Sequence, residues 1–192
     1  MTPDVDIPQE IEIRGDRFVP FIEVQRIQER TTEIAERINR DMDGETPIFI
    51  CVLNGAFMFF ADLVRQITID CEVDFLKLSS YGEKKISSGN VQLVKDLNCE
   101  VEGRNIVIVE DIVDTGFSID FMKKWIGKKN PASLKIVTLL HKPSSTKISH
   151  TLDYVGFEIP TKFVVGYGLD YAQKARNLPA IYILDGNHDT EQ

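Results

Sequence analysis

Apolar residues recur along this chain in two rhythms. Unbroken β-branched runs predict strands buried on both faces, and apolar positions three and four apart predict helices laid against them. The central stretch is Arg104–Ser118, Arg-Asn-Ile-Val-Ile-Val-Glu-Asp-Ile-Val-Asp-Thr-Gly-Phe-Ser. Ile106 to Val109 predicts a central parallel strand, ending at Glu110-Asp111 and followed by Asp114 and a Thr-Gly turn. Ile119, Met122, Trp125 and Ile126 then return at helical spacing, so the order is strand, acidic loop, helix.

The same patterns organise the rest of the chain. Residues 1–16 are polar and contain proline, which predicts a loosely held segment. Phe18–Ile22 predicts a short strand, and Glu23 to Arg40 an amphipathic helix with Val24, Ile27, Thr31, Ile34, Ala35 and Ile38 on one face. Ile48–Leu53 predicts a second doubly buried strand, then an Asn54-Gly55-Ala56 turn and an apolar helix from Phe57 to Val64. Val73–Leu78 and Val91–Val94 predict strands on either side of a polar, Gly/Ser-rich segment. That segment, 81–90 at its centre, is expected to be a flexible lid. Leu134–Leu140, Tyr154–Ile159, Phe163–Tyr167 and Ile181–Leu184 predict the remaining strands, the last closing the sheet, and Ser144–Asp153 reads as polar connection. The expected fold class is α/β, a parallel-sheet core with a small β-rich hood from the two chain ends, all in one domain spanning 1–192.

The central turn suggests a chemistry. In open α/β sheets ligands sit beyond the carboxyl ends of strands. A Thr115-Gly116-Phe117-Ser118 turn opening a helix offers free amides, two hydroxyls and the positive end of the helix dipole to a phosphate. Glu110 and Asp111 would repel that phosphate, and suit sugar hydroxyls or a divalent cation instead. An ordinary strand end with solvated acids is the plainer alternative, but three acids, a glycine and two hydroxyls in one turn favour a ribose-phosphate cradle. The Asn54-Gly55 turn is a second candidate anion site, and Lys142 at a strand's carboxyl end a candidate ligand contact.

Charge and cysteine content narrow the class. A net charge of −8 over 192 residues argues against a nucleic-acid or anionic membrane surface as main partner, and asks for a metal if the ligand is a phosphate. The three cysteines lack metal-ligand spacing and read as reduced thiols in a cytoplasmic protein. No run is long enough to span a membrane, and the first residues contain no apolar signal segment.

Val-Glu-Asp-Ile-Val-Asp-Thr-Gly resembles the phosphoribosyl-pyrophosphate (PRPP) signature of the type I phosphoribosyltransferases. The segment Val155–Tyr171, with Phe-Val-Val-Gly-Tyr-Gly-Leu-Asp-Tyr, resembles the base-binding region of the hypoxanthine-guanine branch of that family, and the likeness runs from about Val19 to Leu184. It implies Mg²⁺-dependent transfer of the 5-phosphoribosyl group from PRPP to hypoxanthine, and guanine, giving IMP or GMP and pyrophosphate in purine salvage. It assigns catalysis to Asp114, ribose and metal contacts to Glu110 and Asp111, and the 5′-phosphate to the residues from Asp114 through Ser118, Phe117 included. Lys142 would donate to the 6-oxo group, Phe163 would stack on the purine, the Val164 backbone would read its edge, and Asp170 would hold Mg²⁺ beside it. Asn54, Gly55, Ser80, Tyr81 and Arg176 would face pyrophosphate. The family commonly has lysine where this chain has Asn54, and lysine and threonine where it has Phe117 and Ser118. A dimer or tetramer is implied. A PRPP-sensing nucleic-acid-binding regulator on the same fold, and a transferase preferring xanthine or guanine, are the alternatives.

Overall fold

The computed structural model describes residues 7–80 and 91–186. Ile11–Ile13 (β1) and Asp16–Ile22 (β2) form an antiparallel hairpin, followed by a helix, Val24–Asp41 (α1). The core then alternates strand and helix: Ile48–Leu53 (β3), Phe57–Val64 (α2), Glu72–Ser80 (β4), Val91–Lys95 (β5), Asn105–Val113 (β6), Phe117–Gly127 (α3), Ser133–His141 (β7) and Tyr154–Glu158 (β8). Val164–Val165 (β9) and Ile181–Leu184 (β10) complete the chain's strands among the described residues.

Six strands form the main sheet in the order β5-β4-β3-β6-β7-β8, and only β5 runs antiparallel to its neighbour. Strand alternation explains why the runs are apolar throughout. Phe49 and Cys51 of β3 and Val107 and Val109 of β6 pack against α1 and α2, while Ile48, Ile50, Ile106 and Ile108 turn to the opposite face against α3. The α1 stripe is as expected, with Ile27, Thr31, Ile34, Ala35 and Ile38 buried. Trp125 of α3 is only partly covered, although Ile119, Met122 and Ile126 are fully buried.

Three expectations change. Residues 11–16 are not loose: Arg14 and Gly15 adopt left-handed φ of 56° and 85°, which turns β1 back on β2 with the twist a two-residue hairpin needs. Next, β6 does not stop at the acids but continues through Glu110 and Asp111 to Val113, because Glu110, Ile112 and Val113 remain paired with Thr138, Leu140 and His141 of β7. Finally, β10 does not close the main sheet. It lies between β2 and β9 in a separate four-stranded hood, β1-β2-β10-β9, around Phe18, Val165 and Tyr182. The lid expected at 81–90 lies outside the described residues.

The β4–β5 excursion is pinned at its base by Asp74, which is 5 % exposed. Its carboxylate accepts N–H bonds from Phe75 at 2.7 Å, Asn98 at 2.6 Å and Cys99 at 2.9 Å. Burial alone would raise its pKa, but these amides outweigh it and hold the group at about 2, below the ordinary 3.8. Asp74→Ala should therefore lower stability at neutral pH by about 2 kcal/mol. The folded pKa lies below the unfolded one, so this contribution is complete above pH 3.8 and fades toward pH 2. Urea unfolding of both proteins from about pH 7 down to about pH 3 should show the difference narrowing; a constant difference would assign the loss to packing instead.

Candidate active site

Because β6 stays in register past Val109, its acids stand on a strand and not on a loop. Glu110 is buried, and its pKa is pushed well above the usual carboxylate range by burial, by the charge of Asp111 and by a hydrogen bond with it. Asp111 is raised to about 6, mainly by its low-dielectric surroundings, against the opposing pull of the Ile112 amide at 2.8 Å and the Arg176 charge. Two such groups side by side disfavour a double negative charge, and a bound cation would relieve that. Beneath them the Cys51 thiol is pushed up to about 12 by burial and then by the charges of Glu110 and Asp111, so it stays protonated.

The β6–α3 turn is shaped by close approach. Gly116 has φ of 85° and begins α3, and a Cβ there would overlap the Ile148 carbonyl. The Thr115 carbonyl accepts N–H bonds from Lys147 at 3.0 Å and Ile148 at 3.2 Å. The Thr146 hydroxyl donates to the Asp114 carbonyl at 3.1 Å. Residues 146–148 are thus laced to the turn, and Thr146 and Lys147 border with it a cavity of about 710 Å³. Its walls include Gly55, Glu110, Asp111, Asp114, Thr115, Gly116 and Ser118, with Ser144, Ser145, Thr146, Lys147 and Thr161 opposite.

Lys142 is 7 % exposed, and its Nζ donates to Asp114 Oδ2 at 3.3 Å, which joins the expected base-reading and proton-accepting groups directly. On the other side, Leu53–Asn54 is a cis peptide, Asn54 is exposed, and Gly55 abuts the Asp111 carboxylate so closely that a Cβ there would overlap it. Gly168 packs on the Gly55 carbonyl with equal intimacy, bringing up the segment that carries Asp170 and Arg176. Arg176 pairs with Asp170 at 2.6 Å and donates to the Gly168 carbonyl at 2.8 Å. Phe163 is partly exposed and meets Tyr171 edge-on at 5.3 Å, beside buried Val164 in β9.

Two of the expected site residues stand apart from the walls of this cavity. Phe117 lines not this cavity but a separate one of about 360 Å³ with Val91, Phe121 and Trp125, so only its backbone belongs to the turn beside Ser118. Asp170 is not on the wall that carries Glu110 and Asp111, and no cluster of three or more His, Cys, Asp or Glu side chains is gathered among the described residues. Ser80 contributes its backbone to β4 opposite Val91, and Tyr81 lies outside the described residues. Ser144 through Lys147 and Thr161 are the residues missed by reading the sequence. Their signal was the run Ser-Ser-Thr-Lys immediately after a strand's carboxyl end.

Residues 23–172 match the phosphoribosyl transferase domain family. The hypoxanthine-guanine phosphoribosyltransferase of Bacillus subtilis (strain 168) is 45% identical over 164 residues, which is 85% of this chain and 91% of that protein. The bifunctional protein TilS/HprT of Listeria innocua is 44% identical over 164 residues, but these make up only 25% of its length. The crystal structure of a hypoxanthine-guanine phosphoribosyltransferase from Bacillus anthracis superposes with a TM-score of 0.82 at 43% identity, covering 86% of this chain and 98% of that one. With the site built on the same strand and turn that carry the signature, the chain belongs to the hypoxanthine-guanine phosphoribosyltransferase family.

Proposed function

We propose that this protein transfers the 5-phosphoribosyl group of PRPP to N9 of hypoxanthine or guanine, releasing pyrophosphate. One observation carries the reading: Asp114, joined to Lys142, stands between a buried acid pair and a helix-opening turn on one cavity wall. On this reading the ribose hydroxyls donate to Glu110 and Asp111. The 5′-phosphate is held by the amides of residues 115–118 and the hydroxyls of Thr115 and Ser118. Asp114 takes the proton from the purine N7 as N9 bonds to the sugar, and Lys142 donates to the 6-oxo group. Adenine would present an amino group there, donor against donor. Phe163 stacks on the base, and the Val164 backbone contacts its edge. The Gly55 turn and Arg176 face pyrophosphate, and Ser80 and Tyr81 are assigned to the same group on the family likeness alone.

The donor set suits Mg²⁺. Glu110, Asp111 and Asp170 would each hold it from separate places, a fit for an ion that keeps several waters and takes its other ligands from substrate phosphates. Bound there, Mg²⁺ would neutralise charge developing on the leaving pyrophosphate. Catalysis by the chain itself is positioning and electrostatics. The reading extends to one domain over 1–192, acting in the cytoplasm as a homo-oligomer without nucleic-acid partners. Supporting it, no described helix is long and apolar enough to cross a membrane, and the net charge is −8.

The test is an assay of PRPP with hypoxanthine, guanine, xanthine, adenine and uracil, with and without Mg²⁺. Nucleotide from the first two alone, and only with Mg²⁺, is expected. Turnover of xanthine above both would shift the base preference, and a salt-sensitive nucleic-acid complex without turnover would favour the regulator. Asp114→Asn should keep PRPP binding while lowering kcat about 10²-fold, as loss of a general base does. Steady-state kinetics with hypoxanthine check this, and an unchanged kcat removes Asp114 from the proton transfer. Lys142→Ala should raise the KM for hypoxanthine about tenfold or more, since a charge-assisted hydrogen bond is worth roughly 1.5–3 kcal/mol. If hypoxanthine KM and adenine rejection both persist in that variant, the 6-oxo contact lies elsewhere.

A further inference from the structure

The cavity that would receive a sugar phosphate is short of positive charge. Its walls bear Glu110, Asp111 and Asp114 and, among the described residues, one cation, Lys147. Two neighbouring cations are already paired, Lys142 with Asp114 at 3.3 Å and Arg176 with Asp170 at 2.6 Å. The β6–α3 turn, Asp114-Thr115-Gly116-Phe117-Ser118, brings no cation of its own. Its amides and the α3 dipole offer only partial charges, whereas a phosphate monoester carries close to two negative charges at neutral pH.

Lys147 is tied to that turn by its own backbone. Its N–H donates to the Thr115 carbonyl at 3.0 Å, and the following residue's N–H reaches the same oxygen at 3.2 Å. Gly116 closes on the Ile148 carbonyl, where any Cβ would clash. The lysine is therefore fixed one residue from the contact that shapes the phosphate turn. Its side chain is exposed and makes no ion pair with any described residue.

We propose that Lys147 is a further binding residue for the 5′-phosphate, adding a full positive charge to the amides and hydroxyls of the turn. The assignment rests on the purine-nucleotide reading of the cavity. Lys147 contacts only the phosphate end, so its influence separates from that of the base-side residues. Because the side chain is solvated, its effect is moderate and salt-dependent.

The experiment titrates wild type, Lys147→Met and Lys147→Arg with inosine 5′-monophosphate and with inosine, at low and high salt. Lys147→Met should bind the monophosphate roughly five- to tenfold more weakly at low salt, with the difference shrinking at high salt. Inosine affinity should be unchanged, and Lys147→Arg should lie within about twofold of wild type. Equal monophosphate affinity in wild type and Lys147→Met would overturn the assignment. So would parallel weakening of inosine, which would mean that the loop's shape had changed. Should wild type bind inosine but show no preference for the monophosphate, the phosphate end of the site is wrong and the base end stands. If wild type binds neither, the purine reading itself fails, and the Lys147 assignment with it.

Discussion

Two adjacent carboxylates at the end of a strand buried on both faces set the terms for this structure. Parallel pairing on both sides holds β6 as far as Val109, and pairing with β7 alone carries it on through Glu110 to Val113. Burial then raises both pKa values. What surrounds the pair follows from that. Glycine at residue 55 leaves room for the Asp111 carboxylate, which a Cβ there would displace. Arg176 comes from far along the chain and draws the Asp111 pKa down. Two carboxylates so placed disfavour a double negative charge that hydroxyls or a cation would offset, which suits the proposed binding role better than a structural one.

Much of the core was legible in the residues. Runs such as Ile48–Leu53 and Ile106–Val109 can be buried on both faces only within a helix-covered sheet, and the stripe on α1 has a single way to face it. The failures share a physical cause. Charged residues suggest that a strand has ended, yet backbone pairing with β7 is indifferent to side-chain charge, so β6 ran on to Val113. The polar residues around β1 likewise concealed a hairpin whose signal was Arg14-Gly15, a turn pair between alternating segments. β10 was correctly a strand but joined the hood, because partner choice depends on the whole tertiary arrangement.

The site was legible where its groups lie within one stretch, and obscure where stretches meet. Glu110 through Ser118 could be read together because a single strand-turn-helix unit presents them. The contact of Gly168 with Gly55, and that of Gly116 with Ile148, joins segments separated by the folds of the chain. Each marks a place where two backbones approach too closely for a side chain. Ser144 to Lys147 looked like connection for the same reason. Their relation to the β6–α3 turn is made by hydrogen bonds from Thr146 to Asp114 and from Lys147 to Thr115.

The Lys142–Asp114 pair gives the proposed chemistry its directionality. A cation and an anion 3.3 Å apart form a donor beside an acceptor. A 6-oxopurine protonated at N7 presents the complement, an acceptor at O6 beside a donor at N7, so both charges can turn outward to the base without either being left unpaired. A 6-aminopurine presents a donor at both places and would satisfy Asp114 alone. Lys142 is 7 % exposed, so little water is available to replace the contact it would lose. Discrimination then arises from the cost of stranding a nearly buried ammonium, which exceeds what an extra hydrogen bond to the preferred base contributes. In the absence of base the two groups satisfy each other, and the strands that carry them, β6 and β7, are already in register. On the proposed reading, the base pocket would thereby be organised before the base arrives, by the same pairing of strands that positions the acids beside it.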